Sequence, residues 1–101
     1  MAESERFGDT RFLILTSLAS GPKHGYAMMT DIATFSGARI GPGTLYTALQ
    51  RLEQDGLIAP VATEDRKRPY RITPAGLGVL RASTDDLRRV SGVATRRMAL
   101  R

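Results

Sequence analysis

Gly41-Pro42-Gly43-Thr44-Leu45-Tyr46-Thr47-Ala48-Leu49-Gln50-Arg51-Leu52-Glu53-Gln54-Asp55-Gly56 is the stretch on which the fold turns. Gly41 stands where an N-cap is needed, and Pro42 takes the first helical position, where a missing N–H costs nothing. Ile40, just ahead of them, is placed to staple against Leu45. Leu45, Ala48, Leu49 and Leu52 follow the i, i+3, i+4, i+7 spacing of a buried stripe, and Gly56 tolerates a left-handed C-terminal turn. The spacing predicts an amphipathic helix of about four turns. With its stripe turned inward, Gly43, Thr47, Gln50 and Gln54 point away from the core, and Tyr46 and Arg51 flank them. Such side chains read base edges: a carboxamide pairs bidentately with adenine N6 and N7. The chain has no asparagine, and both of its glutamines lie on this face. The plainer reading is that Gln is a good exposed helix former, and Gln54 lies farther from the N-terminal end that approaches bases. The candidate groove residues are therefore Gly43, Thr44, Tyr46, Thr47, Gln50 and Arg51.

Downstream, Leu57 to Ala62 and Tyr70 to Thr73 read as two strands around the polar tip Thr63 to Pro69, a β-hairpin. Pro60 cannot donate to a ladder and belongs on an edge. Arg66, Lys67 and Arg68 at the tip, with Arg71 on the returning strand, put four cations within six positions. Alone, such a run is usually a solvated tip; beside a groove-reading helix it is a phosphate clamp. Glu64 and Asp65 dilute it. Thr73 and Pro74 repeat the cap-plus-proline start, and from Ala75 the chain reads helical almost to its end. Leu77, Leu80, Leu87, Val90, Ala94 and Met98 lie close to one stripe, with arginines at 81, 88, 89, 96 and 97 around it. Gly78 and the pair Ser91-Gly92 weaken this helix by about 1 kcal/mol per glycine, which marks places to kink or fray. From Pro74 to Met98 it would be roughly 36 Å long at 1.5 Å per residue, overshooting so small a domain. Its stripe needs a partner, and a homodimer through this helix is expected.

Upstream, Tyr26, Met29, Ile32 and Ala33 share one face of a shorter helix that stops around Ser36 and Gly37. Before it, Phe12, Leu15 and Leu18 recur at helical spacing from Thr10 to Ala19, until Ser20, Gly21 and Pro22 break the pattern. Three helices, a hairpin and a final helix form the order of a winged helix-turn-helix, mainly α, whose third helix enters the major groove. The expected organisation is an N-terminal extension over 1–9, a DNA-binding winged helix-turn-helix over 10–73 and a C-terminal dimerisation helix over 74–101.

Composition agrees with this reading. The chain has 101 residues, 42% of them hydrophobic, which fits one small domain. It contains no cysteine, so neither a disulfide framework nor a cysteine zinc site supports the core, and a reducing cytoplasm suits it. A net charge of +5 favours a polyanionic partner, since cations that neutralise phosphates release counterions. No apolar run approaches the roughly 18 residues of a membrane span. Glu3 and Glu5 do not fit a signal peptide.

An enzyme is not expected. His24 is the only histidine, there is no thiol, and neither a G-x-S-x-G elbow nor a phosphate-cradling loop occurs. His24, at the start of the second helix, reads as a turn or packing residue, and one histidine without cysteine makes a poor zinc site. No cofactor or metal is expected. Asp85 and Asp86 read as surface partners of nearby arginines. A protein-interaction adaptor built on the same fold is the competing reading; it would show an apolar exposed patch.

The runs His24-Gly25-Tyr26, Gly43-Thr44-Leu45-Tyr46 with Leu49, Leu52, Glu53 and Gly56-Leu57-Ile58, and Tyr70-Arg71-Ile72-Thr73-Pro74-Ala75-Gly76 together resemble the PadR family of bacterial transcriptional regulators. The resemblance covers about Thr10 to Leu87. It implies a winged helix domain, a C-terminal helix that builds a two-fold dimer, and repression released by a small molecule or stress signal. The chain has Thr47 where members often carry proline, and its short C-terminal region is similar to that of the smaller class, with one dimerising helix. Some relatives hold flat aromatic drugs between tryptophans; this chain has no tryptophan, so that mode does not carry over. An effector is expected between the fourth and first helices or across the dimer axis. The expected operator is an inverted repeat in double-stranded DNA, with half-site centres about 34 Å apart.

Overall fold

A computed structural model of the chain describes residues 10–64 and 66–101; the expected extension over 1–9 and the dilution of the wing by Asp65 lie outside the described residues. The elements are α1 (Thr10–Leu18), α2 (Gly25–Ser36), α3 (Pro42–Gln54), β1 (Ile58–Pro60), β2 (Tyr70–Ile72) and α4 (Pro74–Ala99). Three helices, a two-stranded antiparallel hairpin and a long last helix form the winged helix-turn-helix arrangement.

α3 begins and ends as its local sequence dictates. Gly41 is the extended N-cap, Pro42 opens the helix, and Ile40 and Leu45 are buried in one cluster. At the other end Gly56 takes a φ of 75°, the Leu57 N–H donates to the Leu52 carbonyl at 3.0 Å and the Gly56 N–H to that of Glu53 at 3.0 Å. This paired closure satisfies carbonyls that a helix end otherwise leaves open. Leu45, Leu49 and Leu52 are buried, so the opposite face is presented outward.

α1 is the hub, in contact with α2, α3, α4 and β2. Leu13, Ile14, Leu15, Ser17 and Leu18 are all buried, whereas Phe12 is only half-buried. A helix enclosed on most sides shows no single stripe, so the Phe12, Leu15, Leu18 pattern captures only part of its buried surface. Ser17 is tolerated inside because its Oγ donates to Asp31 Oδ2 at 2.7 Å.

In α2 the inward residues are Gly25, Met28 and Ile32. This corrects the expected face, since Tyr26 is 70% exposed and Met29 and Ala33 are half-buried. Tyrosine counts as apolar in a periodicity reading, but its phenol is at home in water, and Met28 fills the core instead.

The hairpin pairs Ile58 with Ile72, Ala59 with Arg71 and Pro60 with Tyr70, three rungs where longer strands were predicted. A further bond from the Val61 N–H to the Pro69 carbonyl, 2.9 Å, closes the tip. On the other edge of β2, Lys23 forms a bridge: its N–H donates to the Tyr70 carbonyl at 3.1 Å, and its carbonyl accepts from the Tyr70 N–H at 2.9 Å. Both polar backbone groups of Tyr70 therefore face Lys23, and Pro60, opposite Tyr70 on the other side, needs no N–H. Lys23 Nζ also donates to the Ser17 carbonyl and to Ser20 Oγ, and lies 4.0 Å from Asp31. One residue thus joins the end of α1 to the wing.

Thr73 caps α4, its Oγ1 accepting from the Gly76 N–H at 3.1 Å and donating to the Gly56 carbonyl at 2.7 Å. The helix runs unbroken through Gly78 and Gly92, so the predicted weak points do not interrupt it. Val79 and Leu80 pack against the core, and Leu77 is half-buried. Farther along, Leu87, Val90 and Met98 are 50%, 62% and 65% exposed, and Ala94 is exposed as well. Asp86 and Arg89 form an ordinary exposed pair at 3.1 Å. The molecule measures 57 × 27 × 20 Å. A helix of 26 residues, about 39 Å at 1.5 Å each, accounts for that length.

Candidate nucleic-acid interface

The outward face of α3 carries every residue the sequence assigns to it. Gly43 and Thr44 are exposed in the first turn, and Tyr46, Thr47, Gln50 and Arg51 are exposed beyond them. Thr47, Gln50, Arg51 and Gln54 line one open depression of about 400 Å³ together with Asp55. The Asp55 carboxylate makes that end of the face less favourable to an anion than the N-terminal half of α3.

The wing meets α3 at Tyr46. Arg66, Lys67 and Arg68 line a cleft of about 390 Å³ with Tyr46, His24, Gly25, Tyr26 and Tyr70. Gly25 forms part of its wall for a steric reason: a Cβ there would lie 2.7 Å from Tyr46 Oη and 3.0 Å from its Cζ. The ring of Tyr46 can lie over the start of α2 only because that residue has no side chain. Arg71 is exposed in the middle of β2, opposite Ala59, and is not among the cleft residues. The structure thus brings three of the four wing cations to α3 and leaves the fourth on the outer side of the hairpin.

Sequence reasoning did not anticipate His24, Gly25, Tyr26 or Tyr70 at this place. The available signal was chemical: all three tyrosines of the chain and its only histidine line this one cleft. Tyr26 gave a misleading cue as an apolar position in α2. Among the described residues, no group of His, Cys, Asp or Glu side chains could hold a metal ion. No described helix is long and apolar enough to cross a membrane.

Known proteins share this architecture. The pattern that defines the "Transcriptional regulator PadR-like family" matches residues 14–82. The chain is 45% identical over 87 residues to an "Uncharacterized 37.1 kDa protein in transposon TN4556" of Streptomyces fradiae; the match covers 86% of this chain and 25% of that protein, so the chain spans a quarter of that relative's length. It is 40% identical over 87 residues to "Transcriptional regulator Rv3488" of Mycobacterium tuberculosis, covering 83% of this chain and 78% of that one. Among solved structures, a PadR family transcriptional regulator from Eggerthella lenta superposes with a TM-score of 0.74 at 30% identity, covering 87% of this chain and 80% of the other.

Proposed function

The chain belongs to the transcriptional regulator PadR-like family, and from that premise we propose that it binds double-stranded DNA as a homodimer and represses transcription until a small molecule or stress signal releases it. The family is one of regulators and not of enzymes. The observation that carries the reading is the exposed polar face of α3 set beside a wing whose tip cations lie against Tyr46. In this division of labour, residues 10–73 hold the DNA and 74–101 hold the partner. Thr47 and Gln50 read base edges, Gly43 and Thr44 let the backbone approach the groove, and Arg51 flanks it. Arg66, Lys67, Arg68 and Arg71 contact phosphates and fix position without reading sequence.

The dimer uses α4. Leu87, Val90, Ala94 and Met98 continue the line of Leu77 and Leu80 beyond the domain, and nothing among the described residues covers them. A second copy supplies the missing surface, worth about 1.5 to 3 kcal/mol for each large side chain fully buried. Two copies of α3 about 34 Å apart then read an inverted repeat. An effector between α4 and α1, or across the dimer axis, would act by binding better to the spacing that does not fit DNA. The work is that of a cytoplasmic protein, where the chromosome is accessible.

The test is a salt titration of wild type, Gln50→Ala and Arg68→Ala on the operator and on a scrambled duplex. Gln50→Ala should lose about 1 to 3 kcal/mol on the operator alone. Arg68→Ala should weaken both duplexes alike and lower the slope of log K against log salt by about 1 per subunit. Equal losses for Gln50→Ala on both duplexes would remove α3 from base reading. Failure of the wild type to bind any duplex would favour the adaptor reading.

A further inference from the structure

The wing is a lever on a short base. Three rungs and the Val61 to Pro69 bond hold its strands to each other, and a two-stranded hairpin in water is marginal by itself. At the core end Ile58 is buried and Ile72 packs against the core. Tyr70 is the β2 residue nearest the tip, and Lys23 grips it from the outer edge through two backbone bonds. Arg66 lies four residues beyond Tyr70, a reach of up to about 13 Å at about 3.3 Å per residue. A tilt of about 10° at Tyr70 therefore moves the tip cations by about 2 Å, enough to break a charge-assisted hydrogen bond to phosphate.

The grip is fixed by the side chain of Lys23. Its backbone belongs to the short link between α1 and α2, in which Gly21 turns the chain at a φ of 143°. The side chain runs back to the end of α1, where Nζ donates to the Ser17 carbonyl and, at 2.7 Å, to Ser20 Oγ. Ser20 Oγ donates in turn to the same carbonyl at 3.1 Å. An acceptor in the last turn of α1 is thus closed by two side chains, one of them a cation at the negative end of the dipole. Asp31 of α2 accepts from the Ser17 hydroxyl at 2.7 Å and lies 4.0 Å from the ammonium. The lysine side chain is only 19% exposed, at a junction of α1, α2 and the wing. An ammonium held by groups from α1, the link and α2 is a fixed point for the backbone that carries it.

We propose that Lys23 is a positioning residue for DNA binding: without touching the duplex, its ammonium holds the outer edge of β2 at Tyr70 and so sets where Arg66, Lys67 and Arg68 meet the phosphates. The inference rests on the DNA-binding reading above. It separates the charges that attract phosphate from the charge that aims them. A neutral side chain at 23 would leave the Asp31 carboxylate and the Ser17 carbonyl without their cation. The wing would keep its rungs, and its tip end would be free to tilt.

The experiment compares Lys23→Met in two backgrounds, wild type and the wing variant Arg66→Ala/Arg68→Ala. Fluorescence anisotropy on a mixed-sequence duplex is read across a salt series, below the melting point of every sample. In wild type, Lys23→Met should weaken binding about tenfold and lower the slope of log K against log salt by about 2 per subunit, as the wing variant itself does. In the wing variant it should weaken binding less than about twofold and leave the slope alone, because contacts already lost cannot be misplaced again. Amide exchange at Tyr70 gives a reading without DNA: Lys23→Met should speed it about tenfold, with exchange in α3 unchanged. A like loss of affinity in both backgrounds would mean that the ammonium meets the duplex itself, and unchanged affinity in wild type that it serves stability alone. Either would overturn the proposal and leave duplex binding standing. No duplex binding by the wild type would overturn both readings. Should Lys23→Met fail to fold, Ser20→Ala removes one acceptor of the ammonium and keeps the charge. A loss of about threefold with a reduced slope, absent from the wing variant, then supports the proposal, and wild-type affinity overturns it.

Discussion

Gly76 and Gly78 lie two residues apart in the first turns of α4, yet alanine at the two positions should move stability in opposite directions. A Cβ on Gly76 would sit 2.1 Å from the Leu57 carbonyl oxygen and 2.7 Å from Ile72 Cγ1, where ordinary contact begins near 3.4 Å. The start of α4 would have to retreat by about 1.3 Å, the difference between 3.4 and 2.1. The carbonyl cannot yield instead, because it accepts the Thr73 N–H at 3.1 Å and anchors the cap itself. Overpacking of this kind costs about 3 kcal/mol at the upper end of its usual range, and the better helix propensity of alanine returns about 1. Gly76→Ala should therefore lose about 2 kcal/mol. A Cβ on Gly78 meets nothing within 4 Å, so Gly78→Ala keeps only the propensity gain, up to about 1 kcal/mol. For a domain of this size 1 kcal/mol corresponds to about 4 to 8 °C in melting temperature, so the variants should flank the wild type, the first about 8 to 16 °C below it. Thermal unfolding followed by circular dichroism, at one protein concentration because the proposed association would contribute to stability, measures the difference. A Gly76→Ala protein that melts at or above the wild type would refute the steric argument.

Gly25→Ala should leave stability within about 0.5 kcal/mol of wild type, since the phenol it displaces is a free-swinging end, while duplex affinity falls several-fold; melting and anisotropy on the same sample separate the two. Thr73→Ala should lose about 1 to 2 kcal/mol in urea unfolding by removing the cap to Gly76 and the bond to Gly56, and Thr73→Ser should restore most of it. Leu87→Asp puts a charge on the exposed stripe of α4 and should raise the dimer dissociation constant by about 2 kcal/mol, some 30-fold, in analytical ultracentrifugation, with helix content unchanged. An unchanged constant would move the seam away from this stripe.

What the sequence discloses and what it hides divide by range. The start and stop of α3 and the Thr73-Pro74 start of α4 depend on neighbours within a turn, so Gly41, Pro42, Gly56 and Thr73 announce them. α1 is harder because burial on most sides erases the stripe. Tyr26 misleads because one residue type serves both core and wet surface. The Lys23 bridge to Tyr70 depends on two residues far apart in the chain and leaves no local mark. The outward face of α3 could be deduced by subtraction once Leu45, Leu49 and Leu52 were placed inside. The cleft could not, because it gathers the α2 start, the middle of α3 and the hairpin tip, three segments whose meeting is a property of the packing alone.

The Val61 to Pro69 bond is the last rung before the wing tip, and the residues beyond it begin and end at points already held together. Lengthening such a loop costs only about 0.6 kcal/mol for each doubling. The tip is thus a cassette that evolution can recode or extend without renegotiating the core. α3 has no such freedom, because its outward residues interleave with Leu45, Leu49 and Leu52, and insertion of even one would turn the whole face. Among descendants of this chain, grip on the backbone should drift quickly through the length and charge of the tip, and base preference should change slowly, one side chain at a time.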